Sequence, residues 1–145
     1  MLTFDYTLDT NSPIYKDSLQ IRRTVFISEQ HVDPAIEIDE KESLCIHLVA
    51  YNPLKKAVAT ARLYPVSSTI LKIQRVAVLR EERKKRYGEE LMQQIELIAR
   101  EKEYTTLILG AQNHALPFYE RLGYSIIGEE YEEAGILHHD MEKIC

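Results

Sequence analysis

Gln74-Arg75-Val76-Ala77-Val78-Leu79-Arg80-Glu81-Glu82-Arg83-Lys84-Lys85-Arg86-Tyr87-Gly88 is the stretch on which the fold turns. Its first part closes an apolar, β-rich run over residues 70–78, which predicts a strand. Beyond Gly88 the positions Leu91, Met92, Ile95, Ile98 and Ala99 recur at the helical period to about Lys102. Between strand and helix, residues 80–86 carry five bases and two acids, in a chain whose net charge is −5. A helix N-terminus already presents unpaired N–H groups and the positive end of its dipole. Cations added there favour an anion such as a phosphate or pyrophosphate. A solvated basic surface is the plainer alternative.

Working outward, Leu2, Phe4, Tyr6 and Leu8 alternate with polar neighbours, as in a half-buried strand. Ser12-Pro13 opens a helix whose apolar positions Ile14, Ile21, Val25 and Phe26 carry it to about Gln30. An acidic loop follows, with Glu37, Asp39, Glu40 and Glu42. Residues 45–51 and 57–63 read as strands joined by a hairpin at Asn52-Pro53-Leu54-Lys55. After the long helix come a strand over 105–110, a short helix over 113–122 closed by Gly123, and strands over 125–130 and 136–144. The order is β-α-β-β-β-α-β-α-β-β, and several connections are too short for parallel crossovers. The expected class is therefore α+β, a mixed, mostly antiparallel twisted sheet flanked by helices.

No linker or repeat divides the 145 residues, so one domain over 1–145 is expected. The net charge of −5 disfavours a nucleic-acid binder. Cys45 and Cys145 make neither a C-x-x-C pair nor a disulfide framework. With no leader-like run and no membrane-length apolar stretch, the expectation is a cytoplasmic protein without a membrane partner. His138 and His139 are adjacent on a strand and face opposite ways, and no H-E-x-x-H occurs, so no metal is expected. The Walker and Rossmann glycine patterns are absent, which removes the usual signatures of nucleotide hydrolysis and hydride transfer.

Arg83-Lys84-Lys85-Arg86-Tyr87-Gly88 resembles motif A of the GNAT N-acetyltransferases, [RQ]-x-x-G-x-[GA] after a strand, with Arg86 in place of the first glycine. Gln112-Asn113-His114-Ala115-Leu116-Pro117-Phe118-Tyr119-Glu120-Arg121-Leu122-Gly123-Tyr124 resembles the family's N-x-x-A-x-x-F-Y-E-x-x-G-[FY] signature. Arg23, Val25-Phe26, Glu29-Gln30, Glu37-x-Asp39-Glu40, His47 and Gly135-Ile136-x-His138-x-x-Met141-Glu142-Lys143 are similar to the ElaA-like branch. The resemblance spans residues 21–143.

The resemblance implies acetyl-CoA as acetyl donor and direct transfer to a primary amine in a ternary complex. Backbone donors at Val76, Ala77 and Val78 would hold the pantetheine arm and polarise the thioester. Arg83, Lys84, Lys85, Arg86, Tyr87, Gly88 and Glu89 would cradle the pyrophosphate, with Gln112 as a further cofactor contact. Tyr119 would be the general acid for the departing sulfur, since a phenol is protonated at neutral pH. Glu29 is the candidate base, and Gln30, His47 and His138 are placed on the substrate side. A lone strand histidine such as His47 is also a common structural residue. The acceptor class is a small amine or a protein amino group. The acidic clusters at Glu37, Asp39, Glu40, Glu42 and at Glu129, Glu130, Glu132, Glu133 either attract a cationic amine or solubilise the surface. The competing readings are a non-catalytic coenzyme-A-binding module and a polyanion-binding surface; the chain is expected as monomer or homodimer.

Overall fold

The computed structural model describes residues 1–34 and 38–145. Seven strands make one sheet: β1 (Thr3–Thr7), β2 (Ile46–Tyr51), β3 (Ala57–Pro65), β4 (Ile70–Val78), β5 (Thr106–Gln112), β6 (Ser125–Glu133) and β7 (Ile136–Ile144). They lie in the order β1-β2-β3-β4-β5-β7-β6. Every neighbouring pair is antiparallel except β4 and β5. Among the described residues the α-helices that flank the sheet include α1 (Pro13–Arg22), α2 (Tyr87–Glu101) and α3 (Leu116–Arg121), and their order with the strands and the class are those expected from the sequence. Among the described residues no helix is long and apolar enough to cross a membrane.

Ser12 caps α1, its hydroxyl accepting the Tyr15 N–H at 3.3 Å, and Pro13 fills the first turn. The helix does not run on as α to Gln30. Arg23–Glu29 is a π-helical stretch, in which the Gln30 N–H reaches back five residues to Val25 O at 3.1 Å. That wider turn breaks the 3.6-residue period, so an α-helical pattern cannot reveal it.

The apolar stripe of α2 packs with Leu71, Ile73, Leu107 and Leu109 on one face of the sheet. Ile21 and Val25 pack with Val49, Ala77 and Leu79 on the other. Strand β4 changes sides midway. Arg62 pairs with Gln74 and Thr60 with Ala77, so Ala61 alone opposes both Arg75 and Val76. This is a β-bulge, with Arg75 at φ 54. Before it the odd positions Leu71 and Ile73 face α2; after it the even positions Val76 and Val78 do. Pairing of β4 with β5 ends at the same level, at Ile73 and Leu109, and the two strands splay beyond.

Candidate active site

Two clefts flank the splay. The first, about 640 Å³, lies between the loop entering α2 and the helix α3, and is lined by Val78, residues 82–84, residues 86–89, Phe118, Arg121 and Leu122. Arg86 caps α2 at φ 63, ψ 19, and Lys84 stands at φ 67. The loop thus keeps the left-handed conformation that the motif glycine would adopt freely, at about 1–2 kcal/mol for a residue carrying Cβ. The first bond into α2 runs from Glu90 N–H to Arg86 O at 3.1 Å, leaving the amides of Tyr87, Gly88 and Glu89 without a helical acceptor. A Cβ on Gly88 would lie 3.5 Å from the Phe118 ring, an ordinary contact, so the fold itself does not require glycine there.

The four cations expected to bind the anion behave differently. Among the described residues Lys84 and Arg86 have no carboxylate partner, whereas Lys85 Nζ donates to Glu82 at 2.9 Å. Arg83 points elsewhere: Nε donates to Val78 O at 3.0 Å, and Nη1 and Nη2 donate to the two Glu29 carboxylate oxygens at 2.6 and 2.8 Å. The loop cations without a carboxylate partner among the described residues are therefore Lys84 and Arg86, and Arg121, which the sequence reading did not name as a site residue, lines the same cleft.

The second cleft, about 900 Å³, opens on the α1 side of the sheet. Its walls are Phe26, Gln30 and His31 after the π-helical stretch, Lys72 to Val76 of β4, Gly110 and Gln112 of β5, Tyr119, and Tyr131, His138 and Asp140 of the last two strands. Val76 lines this cleft and Val78 the first; Tyr119 lines this one and Phe118 the first. Leu79 N–H bonds Val58 O at 3.0 Å, and Ala77 opposes Thr60. Antiparallel alternation then turns the Ala77 amide toward β3 and the Val76 and Val78 amides into the splay. Of the three strand donors named from the sequence, Val76 and Val78 direct their amides into the splay and Ala77 directs its amide to β3.

Tyr119 packs edge-on against Phe118 and Tyr124, with ring centroids 5.0 and 6.0 Å away, and burial pushes its hydroxyl up to about 12. His138 stacks on Tyr131 with centroids 5.6 Å apart. Its Nδ1 sits 2.7 Å from Ile136 O, which can only accept, so Nδ1 carries the hydrogen and neutral His138 offers the lone pair of Nε2. Tyr131 donates to Asp140 Oδ1 at 2.7 Å across Gly110, where a Cβ would come within 2.5 Å of the phenol oxygen. This glycine is what lets the Tyr131 ring lie over β5, a requirement no motif announced. Gln112 lines the cleft and accepts from His114 Nε2 at 2.6 Å.

Two expected site residues lie elsewhere. Glu29 lines neither cleft; Arg83 claims its carboxylate and holds it below the usual carboxylate range. His47 has no exposed surface, bonds Glu42 O through Nε2 at 2.7 Å and meets Tyr15 edge-on at 4.6 Å. Burial lowers its pKa, and it belongs to the core beneath the cleft.

The acidic loop is likewise internal in part. Glu42 receives Arg22 at 2.7 and 2.9 Å, Tyr15 at 2.9 Å, and Arg62. Arg62 also binds Asp39 at 2.7 Å and Gln74 at 2.6 Å, and Arg75 stands 3.5 Å from Asp39. Asp39 and Glu42 thus serve neither as solvated charges nor as amine attractors. Glu40 is exposed, Glu37 lies outside the described residues, and Glu129, Glu130, Glu132 and Glu133 are exposed on β6.

The acetyltransferase (GNAT) domain family matches over residues 14–145. The chain is 35% identical to the uncharacterized N-acetyltransferase YjcF of Bacillus subtilis (strain 168), over 92% of this chain and 94% of the relative. Among solved structures it is similar to Escherichia coli ElaA, 26% identical with a TM-score of 0.84 and 99% of each chain covered. An acyl-CoA N-acyltransferase from Pseudomonas aeruginosa is 26% identical with a TM-score of 0.86, again with 99% of each chain covered. A bulged strand parting from its parallel neighbour, a left-handed basic turn at the head of α2, and this near full-length match lead to one assignment: the chain belongs to the GNAT acetyltransferase family.

Proposed function

We propose that the protein transfers the acetyl group of acetyl-CoA to a primary amine by direct attack in a ternary complex. The observation that carries this reading is the pair of clefts flanking the splay, with Val76 and Val78, and Tyr119 and Phe118, divided between them. Lys84, Arg86 and the amides of residues 87–89 suit a pyrophosphate. The Val76 and Val78 amides suit the pantetheine arm and the developing oxyanion. Acetyl-CoA supplies a thioester already activated toward amines, which leaves the protein to align the partners and move protons.

His138 Nε2 accepts the proton from the attacking amine, a role that passes to it because Glu29 is engaged with Arg83. Tyr119, held protonated by burial, donates to the leaving sulfur. Gln30 and Gln112 flank the acceptor with amide groups, and Asp140 and Glu133 favour a cationic amine over a neutral nucleophile. The acceptor is a small amine or a protein amino group.

Thermal unfolding with acetyl-CoA, desulfo-coenzyme A and polyphosphate tests the donor site. Ligand at 100 times Kd adds about 2.7 kcal/mol, or roughly 5–10 °C at about 2–4 °C per kcal/mol. An equal shift with polyphosphate would reduce the loop to a general anion surface. Thiol release over a panel of amines then tests transfer, and coenzyme binding without release would identify a non-catalytic coenzyme-A module.

A further inference from the structure

We infer that Glu29 and Arg83 form a clamp that fixes the donor loop to the wall of the acceptor cleft, so that Arg83 positions the site rather than binding phosphate. One residue ties together three parts of the molecule, two through its guanidinium and one through its own backbone. Nε holds the carbonyl of Val78, the last residue of β4, at 3.0 Å. Nη1 and Nη2 hold the Glu29 carboxylate at 2.6 and 2.8 Å. Arg83 itself opens the loop to α2, and its N–H closes the preceding turn on Arg80 O at 3.3 Å.

Glu29 is the last residue of the π-helical stretch, and Gln30 and His31 immediately after it line the acceptor cleft. Exposed single-contact ion pairs contribute little. A fork-to-fork pair with a third bond to backbone fixes direction as well as distance. Arg83 lines the first cleft with all three of its side-chain nitrogens already bonded, whereas Lys84 and Arg86 in the same lining have no carboxylate partner among the described residues.

The inference rests on the donor-loop reading above, and its test separates the two. Without ligand, the clamp predicts that Glu29→Gln speeds amide hydrogen exchange at Glu82, Arg83 and Glu90, whose N–H groups bond Leu79 O, Arg80 O and Arg86 O, and that Arg83→Gln speeds it at Gln30 and Val32, which bond Val25 O and Phe26 O. If each variant loosens only its own segment, there is no clamp, whatever the protein binds.

With coenzyme A as probe, the sign decides. Removing a negative charge near a pyrophosphate strengthens binding if charge alone acts. Loss of the clamp weakens it about five- to tenfold, and the double variant is no worse than either single one, as for residues acting through one contact. Arg83→Lys keeps the cation but loses the fork, so it matches Arg83→Gln if the clamp holds and wild type if Arg83 is a phosphate ligand. Tighter binding by Glu29→Gln, or a wild-type Arg83→Lys, overturns the inference. Failure of the wild type itself to bind coenzyme A overturns the donor-loop reading and leaves the exchange result standing.

Discussion

Two groups of cations in this protein have opposite surroundings. Beneath the acceptor cleft, Arg22 and Arg62 are almost wholly buried, their side chains 0% and 1% exposed, and both meet Glu42. At the head of α2, Lys84 and Arg86 stand at the surface without a carboxylate among the described residues, and both take the left-handed backbone. The buried pair is complete as it stands: removing the carboxylate leaves charge in the core. The surface pair has no such partner: two exposed cations stand beside the positive end of α2, an excess of charge that a bound anion would offset. The same residue types therefore belong to the scaffold in one place and to the candidate site in the other, and the state of their partners distinguishes them.

The comparison breaks most visibly at Glu42. Glu42→Leu takes from Arg22 and Arg62 the carboxylate they share, and denaturant unfolding is expected to show a loss of about 3–5 kcal/mol. Burial alone would raise the Glu42 pKa, but the bonds from Arg22, Tyr15 and Arg62 outweigh it and hold the group below the usual carboxylate range. Asp39 is held low in the same way, against burial, by Arg62 and Arg75. Their stabilisation is fully present above the ordinary carboxylate range and is lost as pH falls through the depressed folded values. Glu42→Leu should flatten that acid limb of a stability–pH profile.

In the second cleft, Tyr119→Phe is expected to lower kcat by about 10²-fold or more, with coenzyme binding and Tm unchanged. With the hydroxyl of Tyr119 held at about 12, the wild-type rate should show no alkaline loss from this group below pH 10.

At the surface pair, Lys84→Gln combined with Arg86→Gln should leave unfolding within about 0.5 kcal/mol. Coenzyme A affinity should fall about tenfold and become less sensitive to salt, since two phosphate-facing charges are gone. The smallest effect is expected at Gly88→Ala. Its Cβ has room, and alanine favours helix, so stability should rise by less than about 1 kcal/mol. Any loss of coenzyme affinity in that variant then measures how closely the ligand approaches the α2 backbone.

Much of this was legible in the sequence, for physical reasons that can be named. The alternation in β1, the period of α2 and the turn residues gave the order of elements, because each depends on local pattern. The 112–124 signature located Tyr119 because a contiguous helix carries it. The basic turn was visible as charge, but not the division of labour inside it: that Arg83 would turn back to Glu29 depends on a contact 54 residues distant in sequence. His47 was misplaced because a strand histidine under a helix looks the same in sequence as one in a cleft. Tyr131 and Asp140 escaped notice because they depend on Gly110 of a neighbouring strand. The π-helical stretch escaped because a widened turn carries no residue signature of its own.

The bulge in β4 has a further consequence for how the chain tolerates changes in length. Arg75 is one residue more than the pairing with β3 needs: without it, Val76 would oppose Ala61 and Ala77 would still oppose Thr60. Deleting Arg75 would therefore keep every later side chain in its present layer while straightening the strand, so that β4 could continue alongside β5 past Ile73. Such a shortened chain should fold, yet lose the gap between β4 and β5 that the proposed function needs. On that reading, an alignment gap of one at this position would mark a relative that has kept the scaffold without the opening in the sheet.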